Sequence, residues 1–465
     1  MFKVSPMSPQ GHSSSPKSSG TTKDWAAFLT YASYVRYLGK PKYPSPSPFV
    51  PPEVFEAICA LRPQHTLLPN VLELGVDSLV FAIRVAAISW NHTSEAGEPS
   101  GTVAATLDIL SDFRQLQELT LGGNSGPDDE PPAALLRYLR TEPQLIKFEC
   151  YNIPLLMEGI AYLASLPTLR TVLICLPDTL SWSSHNLPDK PFSKTESFSL
   201  FSTVESYTAF AQRIALPYVH KFSISLTAVP AAGSFPVLFT SIRRQFHPST
   251  LIGLTIKPGT GEPDPFVAED ALDDGVLVSS QHLRPLLDFS ELRDVTVVPQ
   301  WGFSFDDDFC HDMAKAWTHV QELRFAHETW CLHAPLATTV RALSYFAAYC
   351  PELRFLGIKF DAQSWVDEIP ILQERKIPAD YYDALRGKRS TCKVHELRAE
   401  LQPIACPEQV ALYILRLFPD LRWCWRAWHS SEDTEEEARW RASLGVMAEM
   451  REDGKRWNLV DEDAG

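Results

Sequence analysis

The stretch His327-Glu328-Thr329-Trp330-Cys331-Leu332-His333 gathers residue types that bind zinc. A zinc protease places two histidines at i and i+4 on one helix face, with a glutamate between them as the base. Here position i+4 is Cys331, and His327 falls at or just after a strand-like run. The spacing fits a loop with a half-buried cysteine better than a metal centre. Asp306-Asp307-Asp308 sets three carboxylates ahead of Cys310, His311 and Asp312. Carboxylates at a helix start cap free amides and suit the positive end of the dipole, which accounts for the run without a cation. Lys257-Pro-Gly-Thr-Gly-Glu262 lacks the Gly-Lys-Ser/Thr of a phosphate loop, and Gly122-Gly-Asn-Ser125-Gly126 lacks the spacing of a nucleophile elbow. The sequence therefore predicts no catalytic residue, no metal site and no cofactor, and a protein that is not an enzyme.

Composition narrows the remaining classes. The chain has 465 residues, 45% of them hydrophobic, enough for two to four domains or for one long repeat array. Its net charge of −15 argues against nucleic acid and against an anionic membrane surface. Nine scattered cysteines without a CxxC pair read as reduced thiols of an intracellular protein, cytoplasmic or nuclear. No apolar run reaches the ~18 residues of a membrane span. Residues 1–23 are rich in Ser and Pro and read as a disordered tail, in which Ser5, Ser8 and Ser15 each precede proline. The sequon at Asn91 is expected to be unused.

The positive signal is a repeat. A template with apolar residues at i, i+3 and i+5 recurs from Val71, Leu116, Leu145, Leu169, Val219, Leu251, Leu292, Val320, Leu353 and Val394. Proline stands two residues ahead of many copies, at Pro69, Pro143, Pro167, Pro217 and Pro351, and Pro419 stands likewise before Leu421. Proline stops a helix and biases the residue before it to extended backbone. The preceding segments, such as PPAALLRYLR, MEGIAYLASL, AFAQRIAL and EQVALYILRLF, carry helical spacing. Each unit thus reads as helix, proline, short strand, loop. The copy Leu116-Gln-Glu-Leu119-Thr-Leu121-Gly-Gly-Asn124 matches the leucine-rich-repeat template residue for residue. The predicted fold class is α/β, an irregular leucine-rich-repeat-like solenoid with parallel strands on the concave face and helices on the convex face. An ordinary α/β domain with a parallel sheet is the alternative. The steps, 24 to 50 residues, are uneven. The segments 181–197 and 257–275 read as polar insertion loops, LRWCWRAW (421–428) as a closing cap, and 435–450 as an amphipathic helix. The resulting division is tail 1–23, solenoid 24–429, and C-terminal helix with acidic tail 430–465.

The chain resembles the leucine-rich-repeat region of the large F-box-protein families of mushroom-forming fungi. The carriers are DWAAFLTYASYVRYLG (24–39), PPEVFEAICALRPQHTLLPNVLELGV (51–76), the LPxL-type strands and FPDLRWCWRAW near the C-terminus. The family's opening pattern falls on Trp25, Phe28, Tyr31, Ala32, Val35, Arg36 and Leu38. The resemblance implies a substrate-recognition component of a Skp–cullin–F-box ubiquitin ligase, with a Skp-family adaptor and a cullin as partners if a docking helix exists. The family's F-box lies upstream of this pattern, where only 24 residues stand here, and PPEVFEAICAL (51–61) reads as the first inter-strand helix instead. A free-standing repeat scaffold without its F-box is therefore the alternative, and an unrecognised α/β enzyme the alternative of another class.

In a strand, alternate side chains face opposite sides, so the residues between the repeat's apolar positions face the concave side. They are Glu118 and Thr120, Lys147 and Glu149, Lys221 and Ser223, Gly253 and Thr255, Asp294 and Thr296, Glu322 and Arg324, Phe355, Gly357 and Lys359, and Glu396 and Arg398. Their mixed polarity predicts a surface for a protein partner rather than a small-molecule pocket.

Overall fold

The structure is a computed structural model. It describes residues 37–38, 73–76 and 85–90 and, from 116 to 449, all but 124–132, 142–143, 179–186, 229, 231–232, 259–277, 299–302, 326–336, 364–390, 399–403, 405 and 426–434. The tail 1–23, the segment 51–61, Asn91, Asn124, His327–His333 and the acidic tail all lie outside the described residues.

Among the described residues fourteen strands form one sheet with every pairing parallel. In order they are β1 (Tyr37–Leu38), β2 (Glu73–Val76), β3 (Val85–Trp90), β4 (Glu118–Gly123), β5 (Lys147–Pro154), β6 (Thr171–Cys175) and β7 (Ser197–Ser202). Then follow β8 (Lys221–Leu226), β9 (Gly253–Pro258), β11 (Asp294–Val297), β13 (Glu322–Arg324), β14 (Phe355–Gly357), β15 (Glu396–Arg398) and β16 (Trp423–Trp425). Each strand pairs only with its sequence neighbours in this series, as stacked repeats require. The missing numbers, β10 (Val278–Ser279) and β12 (Phe303–Ser304), pair with each other in a second ladder. That ladder continues as single bridges Asp306–Ala337, Thr339–Asp361 and Ala362–Ile404.

The described helices lie between successive strands in sequence: α1 (Ala133–Leu139), α2 (Met157–Ser165), α3 (Val204–Ala211), α4 (Ser234–Gln245), α5 (Ser280–Leu283), α6 (Asp307–Ala316), α7 (Ala342–Tyr349) and α8 (Pro407–Leu417); α9 (Glu435–Glu449) follows β16. The chain is an α/β, leucine-rich-repeat-like solenoid.

The template positions explain the stacking. The leading residues Leu116, Leu145, Leu169, Val219, Leu251, Leu292, Val320, Leu353, Val394 and Leu421 are all fully buried, 0% exposed. Before Val320, Leu353 and Leu421 a turn links the helix end to this residue. The N–H of Leu353 donates to the Cys350 oxygen (3.2 Å) and that of Leu421 to the Phe418 oxygen (3.1 Å), across Pro351 and Pro419. Proline's fixed φ suits the second position of such a turn. Just before each strand, one carbonyl accepts two amides of the next repeat. The Arg354 oxygen accepts from His395 (3.0 Å) and Glu396 (3.2 Å), and the His395 oxygen from Arg422 (2.7 Å) and Trp423 (2.9 Å). The same double acceptance runs from Gln117 to His395 and holds the strands in register.

Two strands lie inside steps that the template left whole. β3 stands between β2 and β4, and β7 stands within the 50-residue step from Leu169 to Val219. The leading residue of β7 is Thr195, which is fully buried and whose hydroxyl donates to the Leu169 oxygen at 3.1 Å. The segment 181–197 is thus not all insertion loop, because its end enters the sheet. Near its middle Phe192 is buried at a φ of 55° and donates its N–H to the Ala164 oxygen. A left-handed backbone at a phenylalanine costs roughly 1–2 kcal/mol, offset here by the ring packing edge-on against Phe198.

A further helix differs from its expected position. The spacing of AFAQRIAL places a helix over 209–216, but α3 ends at Ala211. Thr203 starts it early by accepting the Ser206 N–H, and Ile214 and Leu216 instead seal the turn. At the C-terminal end, α9 carries Trp440, Ser443, Leu444 and Met447 on one buried face. Trp440 meets the Phe360 ring edge-on at 6.3 Å, so this helix shares the core of the repeats.

Candidate functional site

One sheet face is buried beneath the helices, and the other carries the alternate side chains. In β11 the burial alternates, with Val295 and Val297 inside and Asp294 and Thr296 half-buried outside. The expected strip is arranged in this way. Glu118, Thr120, Lys147, Glu149, Asp294, Thr296, Glu322, Arg324, Lys359, Glu396 and Arg398 are half-buried, and Lys221 is exposed. Phe355 departs from the expectation. It is 3% exposed because the Arg324 guanidinium lies over its ring, 3.6 Å from the centroid.

Register brings neighbouring charges together. Lys147 pairs with Glu149 at 3.0 Å, and Thr120 donates to the same carboxylate at 3.1 Å. Across the sheet, Lys221, Gly253, Asp294 and Glu322 occupy one row. Gly253 matters here: a Cβ there would sit 3.3 Å from Lys221 Cγ, so its absence lets the lysine stem lie across the row. Burial raises the Asp294 pKa, as does Glu322 beside it, while Lys221, Arg293 and Arg324 counter the rise. Arg324 donates from Nε and Nη2 to Glu322 Oε2 at 3.3 and 3.0 Å.

Several outward residues escaped the sequence reading. Ser197 and Ser199 went unnoticed because Thr195 breaks the apolar template. They join Thr171, Ser223 and Thr255 as a small, uncharged floor at the middle of the sheet. Beside it stand Tyr151, Leu173, Cys175 and Phe201, with the Tyr151 and Phe201 rings 5.9 Å apart. Burial raises the Tyr151 pKa, with smaller help from Glu149. Trp423 on β16, opposite Glu396, adds a half-buried aromatic near the C-terminal end.

The chemical candidates resolve differently. Asp306 caps α6, accepting the Phe309 N–H at 2.7 Å. Asp307 accepts the Thr339 N–H at 2.8 Å and its hydroxyl at 2.7 Å. Both carboxylates thus have structural work, and Asp308 is exposed. Among the described residues no three His, Cys, Asp or Glu side chains stand together as a metal site, and no helix is long and apolar enough to cross a membrane. None of the seven described cysteines forms a disulfide, and burial raises the pKa of Cys175 to about 11 and of Cys350 to about 12. A cleft lined by Phe303, Phe305, Phe325, Ala337, Thr338, Ile358 and Lys359 has a cavity volume of about 10 Å³. That is below the ~300–1,000 Å³ of a small-molecule site.

No family model matches the chain, and no curated protein matches it. Among solved structures it is similar to the internalin inlF of Listeria monocytogenes, at 13% identity over 78% of this chain and 85% of that one, with a TM-score of 0.30. It is also similar to a chain of the Rad7–Elc1 complex of yeast, at 14% identity over 70% of this chain and 83% of that one, with a TM-score of 0.27.

Proposed function

We propose that this chain is a non-catalytic protein-interaction protein whose target lies against the open, strand-lined face of the solenoid. The observation that carries this is the face itself. It runs across the parallel sheet with charged rows, a Ser/Thr floor, and Tyr151, Phe201, Arg324 and Trp423 set among them. Protein interfaces concentrate their energy in such aromatic and arginine side chains, surrounded by polar contacts. The finer role, substrate recognition for a Skp–cullin–F-box ubiquitin ligase, is supported by the resemblance carried at Trp25–Leu38 and in the repeats. In that role the face holds the target and other subunits transfer ubiquitin.

The test is cross-linked purification of the tagged chain from its native cells, compared with two variants. Leu173→Arg with Ser199→Arg places two cations on the open face, and Lys315→Glu alters the helix side. Loss of bound proteins in the double variant alone supports the reading, and equal recovery from all three chains sinks it. Co-purification of a Skp-family adaptor and a cullin supports the ligase role. Target proteins without them leave a scaffold.

A further inference from the structure

Register sets the outward side chains of the central strands in rows. The second row reads Ser199, Ser223, Thr255 and Thr296 on β7, β8, β9 and β11. Across three strand spacings these residues span about 14 Å. The third row reads Phe201, Ser225 and Lys257. Among the described residues, none of these five hydroxyls has a side-chain hydrogen bond. Elsewhere the hydroxyls are used: Thr120, further along the second row, binds Glu149, and buried Thr195 and Ser202 bind carbonyls. Ser225 departs most from that habit. It is 3% exposed, and its neighbours Ile224 and Leu226 are buried in the core, so alternation turns its hydroxyl to the open face. A polar group so buried is ordinarily bonded.

Charge is distributed as unevenly. In the first row Lys221 faces Asp294 across Gly253 and favours its ionised form. Lys257 has no such counterpart. It is exposed, makes no ion pair with any described residue, and stands beside Ser225 in register. Gly253, the register partner of Asp294, precedes Lys257 by about 13 Å of strand. The third row therefore sets a free ammonium next to a free hydroxyl, two donors for one anion. One carboxylate matches one ammonium, whereas a phosphate brings nearly two charges to a chain of net charge −15. The small side chains of the second row let a main chain come close, and their hydroxyls can both donate and accept. An extended chain advances about 3.4 Å per residue, so the row accommodates about four residues.

We propose that a protein target binds here through an extended, otherwise uncharged segment that lies along the second row and seats one Asp or Glu side chain on Lys257 and Ser225. The carboxylate takes the ammonium and the serine O–H, and the main chain beside it takes the hydroxyls of Ser199, Ser223, Thr255 and Thr296. The inference rests on the protein-binding reading and adds the place on the face and the chemistry of the bound segment.

A display library of random unmodified peptides, panned on the full chain, tests it. The expected result is enrichment of peptides that share one Asp or Glu beside uncharged residues. Binding should fall about 10- to 100-fold for Lys257→Gln, for Ser225→Ala and for the Asn or Gln replacement in the peptide, the range for a lost hydrogen bond to a charged group. Lys257→Gln and the peptide's replacement together should cost little more than either alone, because both remove one contact. Lys257→Arg should keep most of the binding, and Ser223→Ala or Thr255→Val should each weaken it about 2- to 10-fold. Thermal melts of each variant keep a folding defect apart from a binding defect. Enriched peptides that are neutral or basic overturn the proposal, as does insensitivity to Lys257→Gln. If such peptides are instead lost on Leu173→Arg, the protein-binding reading survives without it. A requirement for phosphate in a parallel panel of phosphoserine peptides overturns it too. No enrichment at all also counts against it, and the cross-linked purification then judges the broader reading.

Discussion

Thr195 donates its hydroxyl to the Leu169 carbonyl at 3.1 Å, from a place where every other described repeat from Leu116 onward holds leucine or valine. The polar side chain is tolerated at 0% exposure because that bond satisfies it. Thr168 does the same toward the Leu145 oxygen at 2.7 Å, one repeat earlier. Thr195→Val keeps the shape and removes the donor, leaving the Leu169 oxygen poorer by one bond. Denaturant unfolding should show a loss of about 1 kcal/mol. Unchanged stability would mean that the hydroxyl is incidental.

A second polar chain crosses the core between repeats. Tyr207 donates to Gln245 Oε1 at 2.8 Å, and Gln245 Nε2 donates to the Ile214 oxygen at 3.0 Å. Both side chains are buried, so Tyr207→Phe strands the Gln245 oxygen. The expected cost is about 1–3 kcal/mol. Adding Gln245→Leu to Tyr207→Phe should recover part of it, since the stranded acceptor goes too. A double-mutant cycle by urea unfolding measures the coupling.

Alkaline pH should weaken the fold through its thiols. Burial raises Cys175 and Cys392 to about 11 and Cys350 to about 12. A pKa raised in the folded state contributes stability that is complete below the unfolded value, near pH 9, and is lost as pH rises toward the folded value. Each thiol should therefore remove roughly 1.4 kcal/mol per pH unit above pH 9 until its folded pKa is reached. Urea unfolding at pH 8, 9, 10 and 11 reads this directly. Cys350→Ala with Cys392→Ala should flatten the decline, and an unaltered slope would remove these thiols as its cause.

The repeat was legible because its signal is redundant: an apolar triplet, a proline two residues earlier, and a helix before that. Where one member fails, the others compensate only in part. At β7 Thr195 replaces the apolar lead and no proline stands at position 193, so Ser197 and Ser199 were hidden within an apparent loop. The ladder of β10 and β12 left no trace, since two-residue strands have no period to detect. On the open face, alternation alone located the charged rows. It could not show that Phe355 is covered, because that depends on how Arg324 lies across a neighbouring strand.

The aspartate run is a test of capping against metal binding. Asp307 ties α6 to Thr339 through two hydrogen bonds, whereas Asp306 accepts one from Phe309. Asp306→Ala should cost about 1 kcal/mol, as for a lost N-cap, and Asp307→Ala more. Neither chelator nor added zinc should shift the melting temperature of the unaltered chain. A metal-dependent shift that vanishes in Asp307→Ala would replace the capping account.

The final helix closes the core at the last repeats. Trp440, Leu444 and Met447 are buried in it, and Arg439 donates to the Ile404 oxygen at 3.1 Å. Removing the indole leaves a void facing Phe360. Trp440→Ala should cost about 3–5 kcal/mol. A solenoid's stability is set by nearest-neighbour contacts, so the damage should be local. Hydrogen exchange should quicken in β14, β15 and α8 while β5 to β8 keep their protection. Uniform exchange across the sheet would show that the array unfolds as one unit, and that α9 stabilises all of it.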